Sequence, residues 1–245
     1  MLKTPADKWA LYDQLIALAD PSLSVSSFAA GRFWLMVVSS TGAVGLAQRP
    51  GSSVPPPNPI GLNLREAASW VKSWDFDQAA VGLAAINAAI NAASLAGPSQ
   101  DAFDFFQERA RGHKVAVVGH FPYLARLKAT TELVILERDP KPGDLPDSAA
   151  EYVLPAQDFV FATGTTIINK TLPRLLELTP KAVFALVGPS TPLSPVLFDY
   201  GVSALAGLLA DNSPELATAI QSDQCESVFR SGARKINLLK LGLNR

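Results

Sequence analysis

The stretch that decides the fold is Lys114 to Asp139, which reads KVAVVGHFPYLARLKATTELVILERD. It holds two short apolar runs, Val115 to Val118 and Leu133 to Leu136, and between them a segment from about Tyr123 to Lys128 that predicts a helix. Strand, glycine turn, helix and strand in this order open a βαβ unit. Because both runs are apolar at every position, we predict strands covered on both faces, as in the parallel sheet of an α/β fold.

Two further apolar runs, Phe159 to Ala162 and Ala182 to Val187, predict more strands of the same, mostly parallel sheet. Each of these runs, like the first, leads into a loop of small polar residues. Ligands of open parallel sheets bind beyond the carboxyl ends of the strands, which lie along one edge. We therefore predict one ligand site at this edge, and we assign to it the residues Gly119, His120, Phe121, Glu137, Thr163, Gly164, Thr165, Asn169, Thr171, Gly188, Pro189, Ser190 and Thr191.

The segment Thr163 to Thr171 combines several features of such a site. We predict a loop of small hydroxyl residues around Gly164, where glycine allows the backbone to approach a ligand closely. Asn169 and Thr171 stand at the start of a helix predicted to reach Leu178, and free amides at a helix start favour an anion. The alternative is that Thr171 caps this helix, Asn169 holds the turn, and nothing binds.

The first half of the chain predicts a different arrangement. Thr4 and Pro5 predict the start of a helix. Three strand-like runs follow, and the turns between them predict an antiparallel meander. These runs are Leu23 to Phe28, Phe33 to Val38 and Ala43 to Ala47. Three strands followed by helices, without βαβ alternation, indicate an α+β domain.

Capping boxes predict the two helices that follow the meander. Asn63 with Glu66 precedes an expected helix, Leu64 to Trp74. Asp75 with Gln78 stands before a longer one, which we expect to run from residue 76 to about residue 93.

Asn87 and Asn91 lie four residues apart and therefore share one face of this longer helix. One interpretation is that this face is solvated. The other is that the amides point into a cleft and bind a ligand, and in that case Asn87 belongs to the predicted site.

The break at Gly97-Pro98-Ser99 separates the two halves. We place a domain boundary near residues 97–112. Within this region, Asp101 to Arg111 predicts a connecting helix. This predicts two domains, residues 1–100 and residues 101–245.

The remaining segments give weaker signals. Ala150 to Leu154 predicts a short strand, and Pro195 to Gly207 is ambiguous between helix and loop. Ser213-Pro214 predicts the start of a helix that reaches about Gln221, and Arg234 to Leu239 predicts a last strand. Residues 51–61 contain four prolines and predict an irregular loop, which is either a plain connector or a lid over a cleft.

Composition limits the kind of partner. The chain has 245 residues, a hydrophobic fraction of 48% and a net charge of -1, so no strong field favours nucleic acid or an anionic membrane. A single cysteine excludes an internal disulfide framework and fits a reducing compartment. The start of the chain shows no apolar signal region and no apolar stretch is long enough to span a bilayer, so we expect a cytoplasmic protein.

A nucleotide site is one chemical interpretation. Glu137 lies 18 residues after Gly119, close to the spacing of a carboxylate that binds a ribose. However, the turn supplies one glycine rather than the three of a dinucleotide motif, and Pro122 removes an amide donor. A mononucleotide, a ligand similar to adenosylmethionine or another small anion is therefore favoured over a dinucleotide. The alternative is that Glu137 is a solvated charge at the end of a strand.

Metal binding and nucleophilic catalysis lack sequence motifs. His113, His120 and Cys225 do not have the spacing of a zinc site, so no tetrahedral soft-metal site is predicted. The carboxylates of Glu137 and Asp139 suit a hard cation or a bound metal complex, or are simply solvated. Cys225 has no evident base partner, and we expect a buried or bystander thiol. No G-x-S-x-G motif is present.

Six motifs in one order resemble a known family of uncharacterised prokaryotic proteins that are associated with heavy-metal chelation. The resemblance covers nearly the whole chain. It implies an N-terminal domain similar to that of enolase, a Rossmann-like C-terminal domain, and a site in the cleft between them. The motifs are GLAAINAAIN at 82–91, VVGHFP at 117–122, ERDPKPGD at 137–144, TGTTIINKTL at 163–172, LVGPSTPLSP at 186–195 and DYGVSALAG at 199–207.

Three functional classes follow from these observations. The first is a protein that binds a small polar ligand, such as a heavy-metal ion or a metal complex, between the two domains. The second is a small-molecule enzyme that uses a nucleotide or adenosylmethionine, such as a transferase. The third is a non-catalytic interaction module. The sequence leaves open whether a reaction is catalysed, whether the cofactor is a metal complex or an adenine-containing ligand, and whether the chain forms a homo-oligomer.

Overall fold

The computed structural model describes residues 7–50, 54–91, 95–122, 124–222, 224–225, 227–231 and 233–243. Its first part consists of three helices and an antiparallel sheet within these residues. A short 3₁₀ helix at Trp70–Lys72 follows α2 directly. The elements are α1 (Ala10–Ala17), β1 (Val25–Ala30), β2 (Trp34–Ser39), β3 (Val44–Gln48), α2 (Leu64–Ser69) and α3 (Phe76–Ile90).

The predicted meander is confirmed. The described strands pair antiparallel in the order β1-β2-β3, and their bounds differ from the predicted ones by no more than two residues. Asn63 and Asp75 also cap their helices as predicted, each accepting from the amide three residues later. The Asn63 side chain accepts a hydrogen bond from the amide of Glu66 at 2.8 Å, and Asp75 accepts from the amides of Asp77 and Gln78. Thr4 and Pro5 lie outside the described residues.

The second part of the chain builds the larger sheet. Within the described residues it has seven strands in the order β10-β9-β8-β7-β4-β5-β6, all parallel except β10, which runs antiparallel to β9. Its elements are α4 (Ala102–Ala110), β4 (Lys114–Val118), α5 (Ala125–Thr130), β5 (Glu132–Glu137), β6 (Leu145–Pro146), α6 (Ala150–Val153), β7 (Phe159–Thr163), α7 (Thr165–Ile168), α8 (Leu172–Leu178), β8 (Val183–Val187), α9 (Val196–Asp199), β9 (Ala204–Leu209), α10 (Pro214–Gln221) and β10 (Arg234–Leu239).

This topology confirms the predicted α/β fold with a mostly parallel sheet. The chain first builds outward from β4 to β5 and β6, and then returns to place β7 on the other side of β4. The carboxyl ends of β4 and β7 therefore flank the point where the strand order reverses, which is where open α/β sheets bind ligands.

Two local predictions are wrong. Ala150 to Leu154 is not a strand but the helix α6 and the start of a 3₁₀ turn. Ala150 and Leu154 are buried four residues apart, which is helical spacing, whereas Tyr152, which a strand would place on the same face, is 87% exposed. The predicted loop around Gly164 is also shorter than expected, because β7 includes Thr163 and α7 begins at Thr165. The ambiguous segment after Pro195 resolves into α9 and β9.

Buried apolar side chains of the described residues form three clusters. The largest joins helices α1 to α3, through residues such as Leu15 and Ile86, to one face of the parallel sheet, through residues such as Val160. The second packs α4 and α5 on the other face of that sheet. The third places α10 against β2 and β3. The two sheets are therefore held together by continuous apolar packing. No described helix is long and apolar enough to cross a membrane.

Candidate functional site

A cleft of about 800 Å³ opens at the carboxyl edge of the parallel sheet. Its floor is formed by the loops that follow β4, β7 and β8, and its opposite wall includes Trp34, Gln48, Arg49 and Phe76 from the first part of the chain. The two parts of the chain therefore both contribute to its surface.

Glycines shape the floor of this cleft. Gly119, directly after β4, has a φ of +103°, a conformation that other residues adopt rarely. A Cβ on Gly119 would lie 3.0 Å from Cγ2 of Thr163, so the ends of β4 and β7 approach closely because this side chain is missing. Gly188, after β8, has a φ of +108°. The ring of Phe121 lies about 4 Å from the Cβ position of both glycines and spans the gap between the two loops.

The loop after β7 is organised by its own hydroxyls. The Thr163 hydroxyl accepts hydrogen bonds from the amide and the hydroxyl of Thr165, and the Thr166 hydroxyl donates to the carbonyl of Thr163 at 2.7 Å. These bonds turn the chain from β7 directly into α7. The Thr163 side chain is partly exposed and lines the cleft, so its own O–H group is placed to donate to a ligand.

Asn169 closes the next turn. Its Oδ1 accepts hydrogen bonds from the amide of Thr171 at 3.1 Å and from the Thr171 hydroxyl at 2.7 Å. The alternative interpretation expected Asn169 to hold the turn, and it does. It also expected the Thr171 side chain to cap α8, which it does not. The Nδ2 group of Asn169 forms no hydrogen bond with the described residues, and this side chain lines the cleft.

Asn87 and Ser190 connect the first sheet to the loop after β8. Nδ2 of Asn87 donates to the carbonyls of Leu46 at 2.8 Å and Ser190 at 3.4 Å, while the Ser190 hydroxyl accepts from the amide of Gln48 at 2.9 Å. Asn91 donates in the same way to Val44 at 2.8 Å. Side chains therefore pair with three backbone groups on the outer edge of β3. The interpretation of a solvated face is wrong, since Asn87 is only 2% exposed.

The charged side chains of the cleft are largely paired. Arg49 bonds Asp77 at 2.8 Å in a buried position, and Lys235 bonds Asp101 at 2.9 Å. Arg174 contacts both oxygens of Glu151 and one oxygen of Glu177, and its guanidinium lowers the pKa of the Glu151 carboxyl. Among the described lining residues, four arginines and lysines face four aspartates and glutamates. The cleft therefore carries no large net charge.

The carboxylate of Glu137 differs from these paired charged groups. It lies at the carboxyl end of β5, lines the cleft, and accepts a hydrogen bond from the neighbouring amide of Arg138 at 2.7 Å. It forms no ion pair within the described part of the chain, so its carboxylate is available to a ligand.

Lys170 is a residue that the sequence did not indicate. It has a φ of +65°, and its ammonium group donates to the carbonyls of Ile168 and Ser73 and lies 5.5 Å from the ring centre of Phe76. Burial lowers its pKa from 10.5 to about 8. Because Ser73 and Phe76 belong to the first part of the chain, Lys170 links the two parts directly behind the wall of the cleft.

Most residues assigned to the site from the sequence lie together. Asn87, Gly164 and Thr191 are buried behind the surface of the cleft rather than in it. Cys225 is exposed rather than buried, and it lines the cleft through a segment that the sequence did not connect with the site. The assigned residues that line the cleft are Gly119, His120, Phe121, Glu137, Thr163, Thr165, Asn169, Thr171, Gly188, Pro189 and Ser190.

Fold and cleft define an α/β protein whose parallel sheet opens toward a smaller antiparallel sheet. Two family models match the chain, one over residues 101–238 and one over residues 12–90, and both are described as "Putative heavy-metal chelation". The chain belongs to this family, because the first model alone covers more than half of it. The predicted resemblance is thereby confirmed. The predicted division into an enolase-like and a Rossmann-like domain stays a prediction.

Solved structures and a sequence relative support this assignment. A protein of unknown function of the DUF364 family from Desulfitobacterium hafniense has a TM-score of 0.85 and 35% identity, over 95% of this chain and 99% of that one. A DUF364 protein from Pyrococcus horikoshii has a TM-score of 0.76 and 22% identity, over 94% and 98%, and shows the fold alone. An uncharacterized protein of Methanocaldococcus jannaschii is 28% identical in an alignment of 188 positions that covers 73% of each chain.

Proposed function

We propose that this protein binds a small polar ligand in the cleft, and that the ligand is a heavy-metal complex rather than a bare ion. The observation that carries the proposal is the convergence of polar groups from successive loops at the reversal point of the parallel sheet. Thr163 and Asn169 supply hydroxyl and amide donors, and Glu137 supplies an unpaired carboxylate. A ligand with acceptor oxygens on one side and hydroxyl or amino groups on the other complements this surface.

The preference for a complex rests on the donor chemistry of the cleft. Soft metal ions prefer thiolate and imidazole ligands. Of these, the described lining offers Cys225 and His120. No group of three or more His, Cys, Asp or Glu side chains is arranged to hold a metal ion within the described residues. A chelating small molecule would supply its own metal donors, and the protein would recognise its polar periphery. The family description favours a role connected with heavy metals.

A thermal-shift screen tests the proposal. The probes are cadmium, zinc and nickel chlorides, the same ions with excess citrate or histidine, and AMP and S-adenosylmethionine. We expect a chelate to raise the melting temperature more than either the ion or the chelator alone. A ligand at 100 times its Kd stabilises the folded state by about 2.7 kcal/mol. Stabilisation by the bare ion alone would contradict the preference for a complex, and no stabilisation by any class would favour the interaction module.

A nucleotide- or adenosylmethionine-dependent enzyme is the second candidate. The observation that favours it is the adjacent parallel pair β4 and β5, with Gly119 after the first strand and Glu137 at the end of the second. In dinucleotide-binding folds, an acid near this position binds the ribose hydroxyls. Stabilisation by AMP or S-adenosylmethionine, but by no chelate, would replace the first candidate by this one.

A further inference from the structure

His120 occupies a position in the cleft that the proposed binding function does not explain. It lies between Gly119 and Phe121 at the carboxyl end of β4, lines the cleft, and its side chain is 38% exposed. Its Nδ1 atom lies 3.6 Å from Oδ2 of Asp144. The two residues come from different loops, so the contact is a product of the fold rather than of chain proximity.

Asp144 is held rigidly enough to orient this imidazole. Its side chain is only 6% exposed, and the carboxylate oxygen that faces His120 also accepts a hydrogen bond from the amide of Lys141 at 3.0 Å. The amide of Asp144 in turn donates to the carbonyl of Lys141 at 2.9 Å. A carboxylate next to Nδ1 favours the tautomer that carries its proton there. The lone pair of a neutral His120 is then on Nε2, the nitrogen that is not engaged by Asp144.

We propose that His120 is the proton acceptor of the cleft and that Asp144 is its positioning residue. This inference rests on the proposed function, since it concerns a ligand bound in the same cleft. The step is a proton transfer: the O–H or N–H bond of a weakly acidic ligand group breaks, its electron pair stays on the ligand heteroatom, and an Nε2–H bond forms. The resulting imidazolium is stabilised by the Asp144 carboxylate, as in other histidine–carboxylate pairs.

This step has a direct consequence for a chelating ligand. Hydroxyl and N–H groups must lose their proton before they coordinate a metal ion strongly, so metal binding releases protons. A base beside the ligand promotes that loss at neutral pH. The substrate class is therefore a small chelator with an ionisable hydroxyl or N–H group, and the activity is proton removal that accompanies metal uptake by the chelator. The separation of 3.6 Å is compatible with this role, because catalytic hydrogen bonds are often long before a ligand binds.

The chain contains a matched control. His113 also places Nδ1 next to an aspartate, 3.2 Å from Oδ2 of Asp158, but it precedes β4 and lies at the amino edge of the sheet, away from the cleft. Its ring packs edge-on against Phe159 at 5.5 Å between ring centres. Substitutions at His113 and Asp158 therefore reproduce the chemistry of the pair without its location.

The first experiment measures the tautomer of each histidine by ¹⁵N NMR at alkaline pH. We expect neutral His120 to carry its proton on Nδ1 in the wild-type protein and to shift toward the Nε2–H form in Asp144→Asn. We expect His113 to be unaffected by that substitution and to respond to Asp158→Asn instead. A wild-type His120 in the Nε2–H form, or one that ignores Asp144→Asn, would overturn the proposed orientation. This measurement needs no ligand, so it stands apart from the thermal-shift screen.

The second experiment measures reactivity with p-nitrophenyl acetate. Nε2 attacks the acetyl carbon, p-nitrophenolate leaves, and water then hydrolyses the acetylimidazole to acetate and restores the imidazole. All proteins carry Cys225→Ser, because thiolates react with the same ester and Cys225 lines the cleft. We expect the rate to fall about tenfold or more in His120→Gln, partly in Asp144→Asn, and not in His113→Gln. Equal rates in the Cys225→Ser parent protein and in its His120→Gln variant, with melting temperatures unchanged, would overturn the proposal.

The outcomes separate the inference from the proposed function. If both experiments succeed and the screen finds no ligand, the base at His120 is retained and the metal-complex ligand is abandoned. If the screen finds a chelate but His120→Gln leaves the ester rate unchanged, the cleft binds its ligand without this proton acceptor.

Discussion

Glu137 and Glu132 lie at opposite ends of the same strand, β5. Glu137 ends β5 inside the cleft, while Glu132 begins the same strand at the opposite, exposed edge. The two residues are of the same type and belong to the same strand, so Glu132 is a control for the location of Glu137.

We predict that Glu137→Gln weakens binding of the chelate found by the screen about tenfold, because a charge-assisted hydrogen bond is replaced by a neutral one. Glu132→Gln should leave binding unchanged, and both variants should unfold within about 0.5 kcal/mol of the wild type. Isothermal titration calorimetry and urea unfolding measure the two quantities. Equal affinity of both variants would return Glu137 to the interpretation of a solvated strand-end charge.

Lys170 gives the fold a specific pH dependence. Its pKa is about 8 in the folded protein, and burial lowers it from 10.5. Between these values the unfolded chain binds more protons than the folded chain, so the contribution of Lys170 to stability rises as the pH rises through this window. Tyr12 has the opposite effect at higher pH, since burial raises the pKa of its hydroxyl.

We predict that the free energy of unfolding of the wild type increases, relative to Lys170→Met, between pH 7 and pH 9.5. Urea unfolding of both proteins at both pH values gives the difference in free energy of unfolding between them at each pH, and the change in this difference is the predicted quantity. The pH range stays below the region where Tyr12 titrates. Lys170→Met retains the apolar stem beside Trp74 and Phe76 but removes the ammonium group. Parallel pH profiles of the two proteins would show that the buried ammonium has no net cost.

At the scale of elements, side chains rather than another strand bond to the outer edge of β3. An exposed strand edge presents unpaired amides and carbonyls. Here the side chains of Asn87, Asn91 and Ser190 provide partners; Asn87 lies on α3, and Asn91 is the residue that directly follows it. Three backbone groups of the edge are thereby paired without a fourth strand, and the Gln48 amide is joined to the loop after β8.

We predict that Asn87→Ala destabilises the fold by about 1–3 kcal/mol, because it leaves the buried carbonyl of Leu46 without a donor. Asn91→Ala should cost less, since Asn91 is only partly buried. Urea unfolding of both variants gives the comparison. A loss for Asn91→Ala that equals or exceeds the loss for Asn87→Ala would contradict the role assigned to burial.

Elements whose signal is local were predicted well from the sequence, and elements whose signal depends on packing were not. The apolar runs Val115 to Val118 and Phe159 to Ala162 are buried on both faces, so their composition alone identified them. The α6 segment failed because its five residues fit both a strand and a helix, and only contacts such as Glu151 with Arg174 decide between the two. The left-handed Lys170 has no sequence signal at all.

At the scale of the whole molecule, one part of the candidate site has a local sequence signal and the other part depends on packing. The loops after β4, β7 and β8 were predictable, because the carboxyl ends of parallel strands must share one edge. The opposite wall was not predictable, because Trp34, Gln48 and Arg49 reach the cleft only through the packing of one sheet against the other. For the same reason, Asn87 was expected in the cleft and instead lies behind it.

The shared packing leads to a prediction for the molecule as a unit. The largest apolar cluster contains Leu83 and Ile86 from α3 together with Ala116 and Val160 from the parallel sheet, so neither sheet keeps its core when the other unfolds. We therefore predict a single cooperative unfolding transition, despite the two-domain organisation expected from the sequence.

Spectroscopy separates the two parts conveniently, because all four tryptophans, at positions 9, 34, 70 and 74, precede residue 100. Trp9, Trp70 and Trp74 report the first part by fluorescence, while Trp34 also contacts Cys225 and Phe229 of the second part. Far-ultraviolet circular dichroism reports both parts. Coincident urea midpoints, and equal hydrogen-exchange free energies for amides of β2 and β7, are the expected result. A fluorescence transition at lower urea than the dichroism transition would instead mean that the first part unfolds alone. The cleft would then lose one wall before the parallel sheet unfolds, and ligand binding would be lost at that lower urea concentration.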